Sequence, residues 1–275
     1  MVERARERAR ERAPVGTLPG EGLEAARMPG HWLLARLGKR VLRPGGLELS
    51  RRMVAALAVG PGDSVVEFAP GLGATARITL DRGPSSYTGV ERDEAAARRA
   101  EREVSGRGEV VVGDAAQTGM PDGCASVVYG EAMLTMQREP EKRRIAAEAY
   151  RLLAPGGRYG IHELCVADGP GAEEVGEDLS REIHVGARPL TREGWRVLLE
   201  EAGFEVSKVE TAPMRLLEPR RLVADEGLAG ALRFVSNVLS DAEARRRVLR
   251  MRAAFRRNHD RISAIALVAR KPGAA

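Results

Sequence analysis

Three acidic residues close successive apolar runs in the first half of the chain. Val65-Val66-Glu67 leads into Phe68-Ala69-Pro70-Gly71-Leu72-Gly73, Tyr87-Thr88-Gly89-Val90-Glu91 follows, and Val111-Val112-Gly113-Asp114-Ala115 comes third. Small residues after an apolar run let the backbone approach a ligand, and a helix beginning near Ala74 offers free N–H groups beyond the turn. An acid at Glu91 is placed to accept hydrogen bonds from a ribose diol, and one at Asp114 to meet an adenine amino group. The chemistry implied is the binding of a nucleoside-containing cofactor. The glycine-rich turn alone does not say which one, because dinucleotide-binding folds use a similar turn.

The elements that must hold these groups alternate. Short β-branched runs predict strands over 64–68, 86–90, 109–112, 125–129 and 157–164, with helices starting near Ala74, Asp93 and Lys142. Strands and helices alternating at this spacing imply parallel βαβ units in an open twisted sheet, an α/β fold. Thr191 is a cap for a helix that Gly203 stops, 204–211 reads as a sixth strand, and 262–269 supplies a final one. The residues between those two strands are too many for a hairpin loop, so about 217–260 is read as a helical insertion, capped internally at Ser240 or Asp241. Ahead of the sheet, 23–57 reads as a helical cap of two short helices broken at Pro44-Gly45-Gly46. Residues 1–22, an Arg/Glu/Ala-rich stretch, read as a disordered charged tail. Residues 167–186 read as a polar, glycine-rich stretch.

Composition bounds the function. No uninterrupted apolar run approaches the length of a membrane span, and Cys124 and Cys165 have no ligand-spaced Cys or His beside them, so neither a zinc site nor a disulfide framework is expected. Together with an opening that lacks the apolar stretch of a secretory signal, this points to the cytoplasm. The net charge of +5 is unevenly spread, with fourteen Lys or Arg against six acids over 215–275. Such a segment suits nucleic acid or anionic lipid, but its interleaved acids and helical spacing read as a solvated helix face.

From about Leu47 to Pro155 the chain resembles the class I S-adenosylmethionine-dependent methyltransferases, particularly the small-molecule, type 11-like group. Arg151-Leu-Leu-Ala-Pro-Gly-Gly-Arg-Tyr159 matches the helix, turn and strand that follow in that family. The resemblance implies a Rossmann-like, seven-stranded sheet with the last strand antiparallel and helices on both faces. The domain it implies spans 58–275, with S-adenosylmethionine as cofactor and S-adenosylhomocysteine as product. Carried over residue by residue, Glu67, Ala69 and Gly71 match the first glycine-rich motif, Glu91 the ribose acid, and Asp114 with Ala115 the adenine side. Glu131, closing the fourth strand, falls where cofactor and acceptor meet. The family's acid-x-Gly-x-Gly-x-Gly has Ala69 at its first glycine, which is strained if that position needs a positive φ.

The fourth strand runs into Tyr129-Gly-Glu-Ala-Met-Leu134, without the Asn/Asp-Pro-Pro-Tyr/Phe tetrapeptide carried by resembling enzymes that act on nucleic-acid or glutamine amino groups. A small organic acceptor, methylated on O, N or C, is therefore expected, enclosed by a lid from 23–57, 167–186 and 217–260. Methyl displacement is mainly positioning. If a base is needed, the candidates are His162, beside Glu163, with Glu131 near it, and then His184 and His31. Trp32, Met133, Met136 and Phe234 are candidates for lining the acceptor pocket. No metal site is expected, and a homodimer is allowed. Three alternatives stay open. One is an RNA methyltransferase contacting phosphates through Arg245, Arg246, Arg247, Arg250 and Arg252. The others are a nicotinamide-dependent dehydrogenase and a cofactor-binding pseudoenzyme.

Overall fold

The computed structural model describes residues 18–20, 22–169 and 171–273. The charged tail expected over 1–22 therefore lies outside the described residues except at 18–20 and 22. In chain order the elements are α1 (Gly30–Arg36), α2 (Gly46–Ala56), β1 (Ser64–Phe68), α3 (Ala74–Leu80), β2 (Ser86–Glu91), α4 (Glu94–Val104), β3 (Glu109–Val112) and β4 (Ala125–Glu131). They continue with a 3-10 turn (Leu134–Met136), α5 (Glu139–Leu152), β5 (Leu153–Val166), α6 (Ala172–Ile183), β6 (Leu190–Thr191) and α7 (Arg192–Glu201). The last are β7 (Glu205–Pro213), α8 (Pro219–Ser240), α9 (Ala242–Arg257) and β8 (Ile262–Arg270).

The sheet order is β3-β2-β1-β4-β5-β8-β7, with the short β6 beside the end of β5 as an eighth strand. β1 to β5 run parallel, and β8 is antiparallel to both β5 and β7. This is the expected Rossmann-like sheet with its last strand reversed, plus one two-residue strand. Period-two alternation assigns the faces. On β8, Ala264, Ala266 and Val268 join Leu49 and Met53 of α2 and its C-cap Leu57 in one core, while Ile265, Leu267 and Ala269 join Ile145, Leu152 and Trp195 in the other. α2 lies so close to the sheet that a Cβ on Gly160 would stand 2.9 Å from Leu57.

Local chemistry sets the helix starts. Asp93 accepts from the N–H groups of Ala95 and Ala96, Thr191 from Gly194, and Asp241 from Glu243 and Ala244, caps worth about 1 kcal/mol each. The stretch 167–186 is not simply polar, because Val175, Leu179 and Ile183 recur every four residues and give α6 an apolar face that packs inward.

A third core joins α1, α6, α8 and α9 above the carboxyl edge of the sheet. Glu226 accepts from the backbone N–H of Arg40 and Val41, each at 2.9 Å, and Asp225 from Leu47 at 3.1 Å. The fully buried Lys39 lies between these two acids, at 3.6 and 3.7 Å. Arg247 of α9 donates to the carbonyls of Ala25 and Met28, each at 2.6 Å. The segment between α1 and α2 is thereby fixed to the insertion.

Candidate active site

Above the carboxyl ends of β1, β2, β3 and β4 lies a cavity of about 630 Å³. The turn after β1 forms its floor. Ala69 has φ +52, in the left-handed region where alanine is strained, and its N–H reaches Val90 O at 2.8 Å. Gly73, at φ +73, packs so tightly that a Cβ would fall 2.8 Å from Glu103 Cβ. Glu91 stands at the end of β2, 7% exposed. Its carboxylate accepts from Gly71 N at 3.1 Å and Asp93 N at 3.0 Å, and burial raises its pKa against the pull of those bonds. Asp114 accepts from Ala116 N through Oδ1 at 2.8 Å. Glu67, Ala69, Gly71, Glu91, Asp114, Ala115 and Glu131 all line this one cavity.

Behind the turn sits a buried polar network. Glu67 accepts from the hydroxyls of Tyr87 and Tyr129, the latter at 2.6 Å. Burial pushes its carboxyl up to about 7, with the two tyrosine bonds opposing. Arg43 Nη1 bonds both Thr75 and Glu131. Burial alone would raise the Glu131 carboxyl, but the Arg43 guanidinium and His162 outweigh it and hold it well below the usual carboxylate range. Pro44-Gly45-Gly46 delivers Arg43 to this point. Gly45 and Gly46 take φ +70 and +66, and a Cβ on Gly45 would stand 2.8 Å from Ala264.

The geometry does not fit His162 as a base toward the cavity. The residue is fully buried and off the cavity wall. Its Nε2 donates to Pro44 O at 2.6 Å, and its Nδ1 meets Glu131 Oε1 at 2.7 Å. The carbonyl can only accept, so the second contact holds a proton shared between ring and carboxylate, and neither nitrogen is left to take one from an acceptor. Glu163 is likewise sealed. It accepts from the N–H groups of Met133, Leu134 and Thr135 and from the Thr135 hydroxyl, at 2.7 to 3.0 Å, and so shapes the loop that presents Met133.

His31, Trp32, Met133 and Met136 line the cavity, whereas His184 and Phe234 do not. His184 caps the end of α6 at φ +54, which carries it off the wall that its neighbours Ile183 and Val185 form. Phe234 is buried in the third core. The arginine face drawn from sequence is corrected in part, since Arg247 is 1% exposed and Arg250 pairs with Glu182, while Arg245 and Arg246 are exposed. Among residues the sequence did not single out, Arg43, Leu179, Met214, Met251 and Phe255 line the cavity. Arg43, the basic residue before Pro44-Gly-Gly, carries the one local signal.

A family model described as a methyltransferase domain matches residues 66–161. An uncharacterized protein of Haemophilus influenzae is 31% identical over 247 residues, covering 88% of this chain and 98% of its own. The ubiquinone/menaquinone biosynthesis C-methyltransferase of Methylobacterium nodulans is 31% identical over 150 residues, 52% of this chain and 56% of that protein. Among solved structures, a phosphoethanolamine N-methyltransferase 2 of Haemonchus contortus, bound to phosphomonomethylethanolamine and S-adenosylhomocysteine, superimposes with a TM-score of 0.69. That match spans 88% of this chain and 57% of that one at 16% identity, a likeness of fold.

Proposed function

The chain belongs to the class I S-adenosylmethionine-dependent methyltransferases, and from that premise we propose that it methylates a small, largely apolar organic acceptor. The observation that carries this reading is the continuity of one cavity. At one end stand Ala69, Gly71, Glu91 and Asp114, and at the other Trp32, Leu179, Met214, Met251 and Phe255. A pocket mostly apolar with a few convergent polar groups suits a small organic ligand.

The residues fit the cofactor. Each Glu91 oxygen accepts one backbone N–H and keeps lone pairs for a ribose diol, and Asp114 has its second oxygen for an adenine amino group. Arg43 offers a cation, and Glu131 a negative charge, to the amino-acid end, with the Glu67 carboxyl on the same wall. When bound, S-adenosylmethionine supplies an electrophilic methyl group on a sulfonium. The chain's own task is then to align the acceptor and keep water out, with α1, α6 and α9 as the lid. His31 is the group in this reading that accepts a hydrogen bond from the nucleophile. It lines the cavity, and burial lowers its pKa to about 4, so it is neutral near pH 7. His162 is a positioning residue that fixes Glu131.

The test uses methyl-labelled S-adenosylmethionine and an extract of organic metabolites. Label should pass into an organic-soluble product, and Met251→Glu should abolish that transfer while leaving S-adenosylhomocysteine affinity within about threefold, a change under 1 kcal/mol. Label confined to water-soluble products, or transfer unaffected by the substitution, would refute the acceptor class.

A further inference from the structure

The outer face of α8 is apolar where a solvated helix should be polar. Leu228, Leu232, Val235 and Leu239 are 67%, 62%, 45% and 60% exposed. At 3.6 residues per turn their spacing places them within about 60° of one another. The stripe starts just past Gly227, whose φ of +72 breaks the helix. Immediately before the break, the buried acids Glu226 and Asp225 tie the chain to Val41, between α1 and α2, and to Leu47 in the first turn of α2. The stripe therefore projects from an anchored base, and Leu249 of α9 is a further exposed apolar residue of the hairpin, at 55%.

The charges around the stripe are mainly basic, although Asp241, paired with Arg36 at 3.6 Å, and Glu243 stand among them at the start of α9. Arg233, Arg245, Arg246 and Arg256 are exposed and, among the described residues, have no carboxylate partner. Arg245 is held against the end of the stripe by its bond to Leu239 O at 3.3 Å. Two of the six acids over 215–275, Asp225 and Glu226, are buried. A second copy docking here through the same face would set arginines against arginines, and a phosphate backbone would leave the leucines in water. An anionic bilayer meets both demands, taking apolar side chains at the acyl boundary and guanidinium groups at the headgroups.

We propose that the α8–α9 hairpin docks peripherally on an anionic membrane surface, with Leu228, Leu232, Val235 and Leu239 inserted and the neighbouring arginines on the headgroups. No helix among the described residues is long and apolar enough to cross a bilayer, so the attachment is to one leaflet. Met251 and Phe255 of the same hairpin line the cavity, which places the apolar chamber beside the layer where a lipid-soluble acceptor would dissolve. That last step rests on the proposed acceptor class, whereas the docking does not.

The experiment reads docking alone, by co-sedimentation of the full chain with phosphatidylcholine vesicles with and without phosphatidylglycerol. Anionic vesicles should carry the protein down, added salt should weaken the association, and L228Q/L232Q/L239Q should lower the partition coefficient about tenfold or more. The variant's melting temperature and S-adenosylhomocysteine affinity should match the parent's, which separates failure of docking from failure of the methyltransferase reading. Docking would be overturned by parent and variant sedimenting alike, or by no association with anionic vesicles. It would be overturned equally by RNA binding in place of vesicle binding, or by a dimer that forms without lipid and that the triple variant dissolves.

Discussion

Replacing Glu67 by glutamine should stabilise the protein in a strongly pH-dependent way. The carboxyl is 3% exposed, and burial moves its pKa from 4.5 to about 7 in the fold. The folded state therefore holds the proton more tightly than the unfolded chain. Stability falls as pH rises from 4.5 towards 7 and is flat beyond, because above 7 both states have lost the proton and only the fold bears the cost. Each pKa unit is worth about 1.4 kcal/mol. The cost to the wild type is thus under about 1 kcal/mol at pH 5 and about 3 kcal/mol at pH 8. The glutamine side chain carries no charge, and its amide oxygen can accept the Tyr87 and Tyr129 hydroxyls as the carboxylate does. Thermal melts of parent and Glu67→Gln at both pH values are the assay. The variant should gain roughly 6–10 °C at pH 8 and little at pH 5. An equal gain at both, or none at pH 8, would refute the buried, proton-binding Glu67 described here.

Four further outcomes are expected. Glu91→Ala should weaken S-adenosylhomocysteine binding at least about tenfold, about 1.4 kcal/mol by calorimetry, and unchanged affinity in folded protein would remove Glu91 from the site. Ala69→Gly relieves a left-handed φ of +52 and should raise stability by up to about 1 kcal/mol in a denaturant titration, part of the relief being offset by unfolded-state entropy. His162→Ala leaves Pro44 O and Glu131 without a buried partner and should cost about 2–4 kcal/mol of stability. If His162 only positions Glu131, the pH-rate profile of that variant should keep its shape. His31→Ala should lower turnover but spare cofactor affinity, and in the parent activity should fall only as pH drops through about 4, where His31 gains its proton. A profile identical in parent and His31→Ala would remove that residue.

The sheet is legible in the sequence because each strand announces itself locally. β8, as Ile-Ser-Ala-Ile-Ala-Leu-Val-Ala, feeds two cores by simple alternation, and Asp93, Thr191 and Asp241 mark their helices by capping chemistry that acts within three residues. The end of the cavity proposed to take the cofactor is legible for a similar reason, since Glu67, Ala69, Gly71, Glu91 and Asp114 sit at strand ends, where the topology of a parallel sheet brings them to one edge. What sequence spacing does not carry is burial and long-range pairing. His162 looks available beside Glu163 until the fold seals both behind the wall, and Arg247 looks like surface charge until it is turned onto the carbonyls of Ala25 and Met28. Arg43 meets Glu131, 88 positions away, only because two positive-φ glycines turn the chain after Pro44. In α6, Gly176, the glycines Gly171 and Gly186 flanking the helix, and a run of acids mask an apolar spacing that packing then selects.

The most direct measurement is calorimetric titration of purified, ligand-free protein with S-adenosylhomocysteine, with NAD in parallel. Micromolar one-to-one binding of S-adenosylhomocysteine, lost in Glu91→Ala, with NAD silent, is the expected result. A folded protein that binds NAD and ignores S-adenosylhomocysteine would contradict the account at its centre.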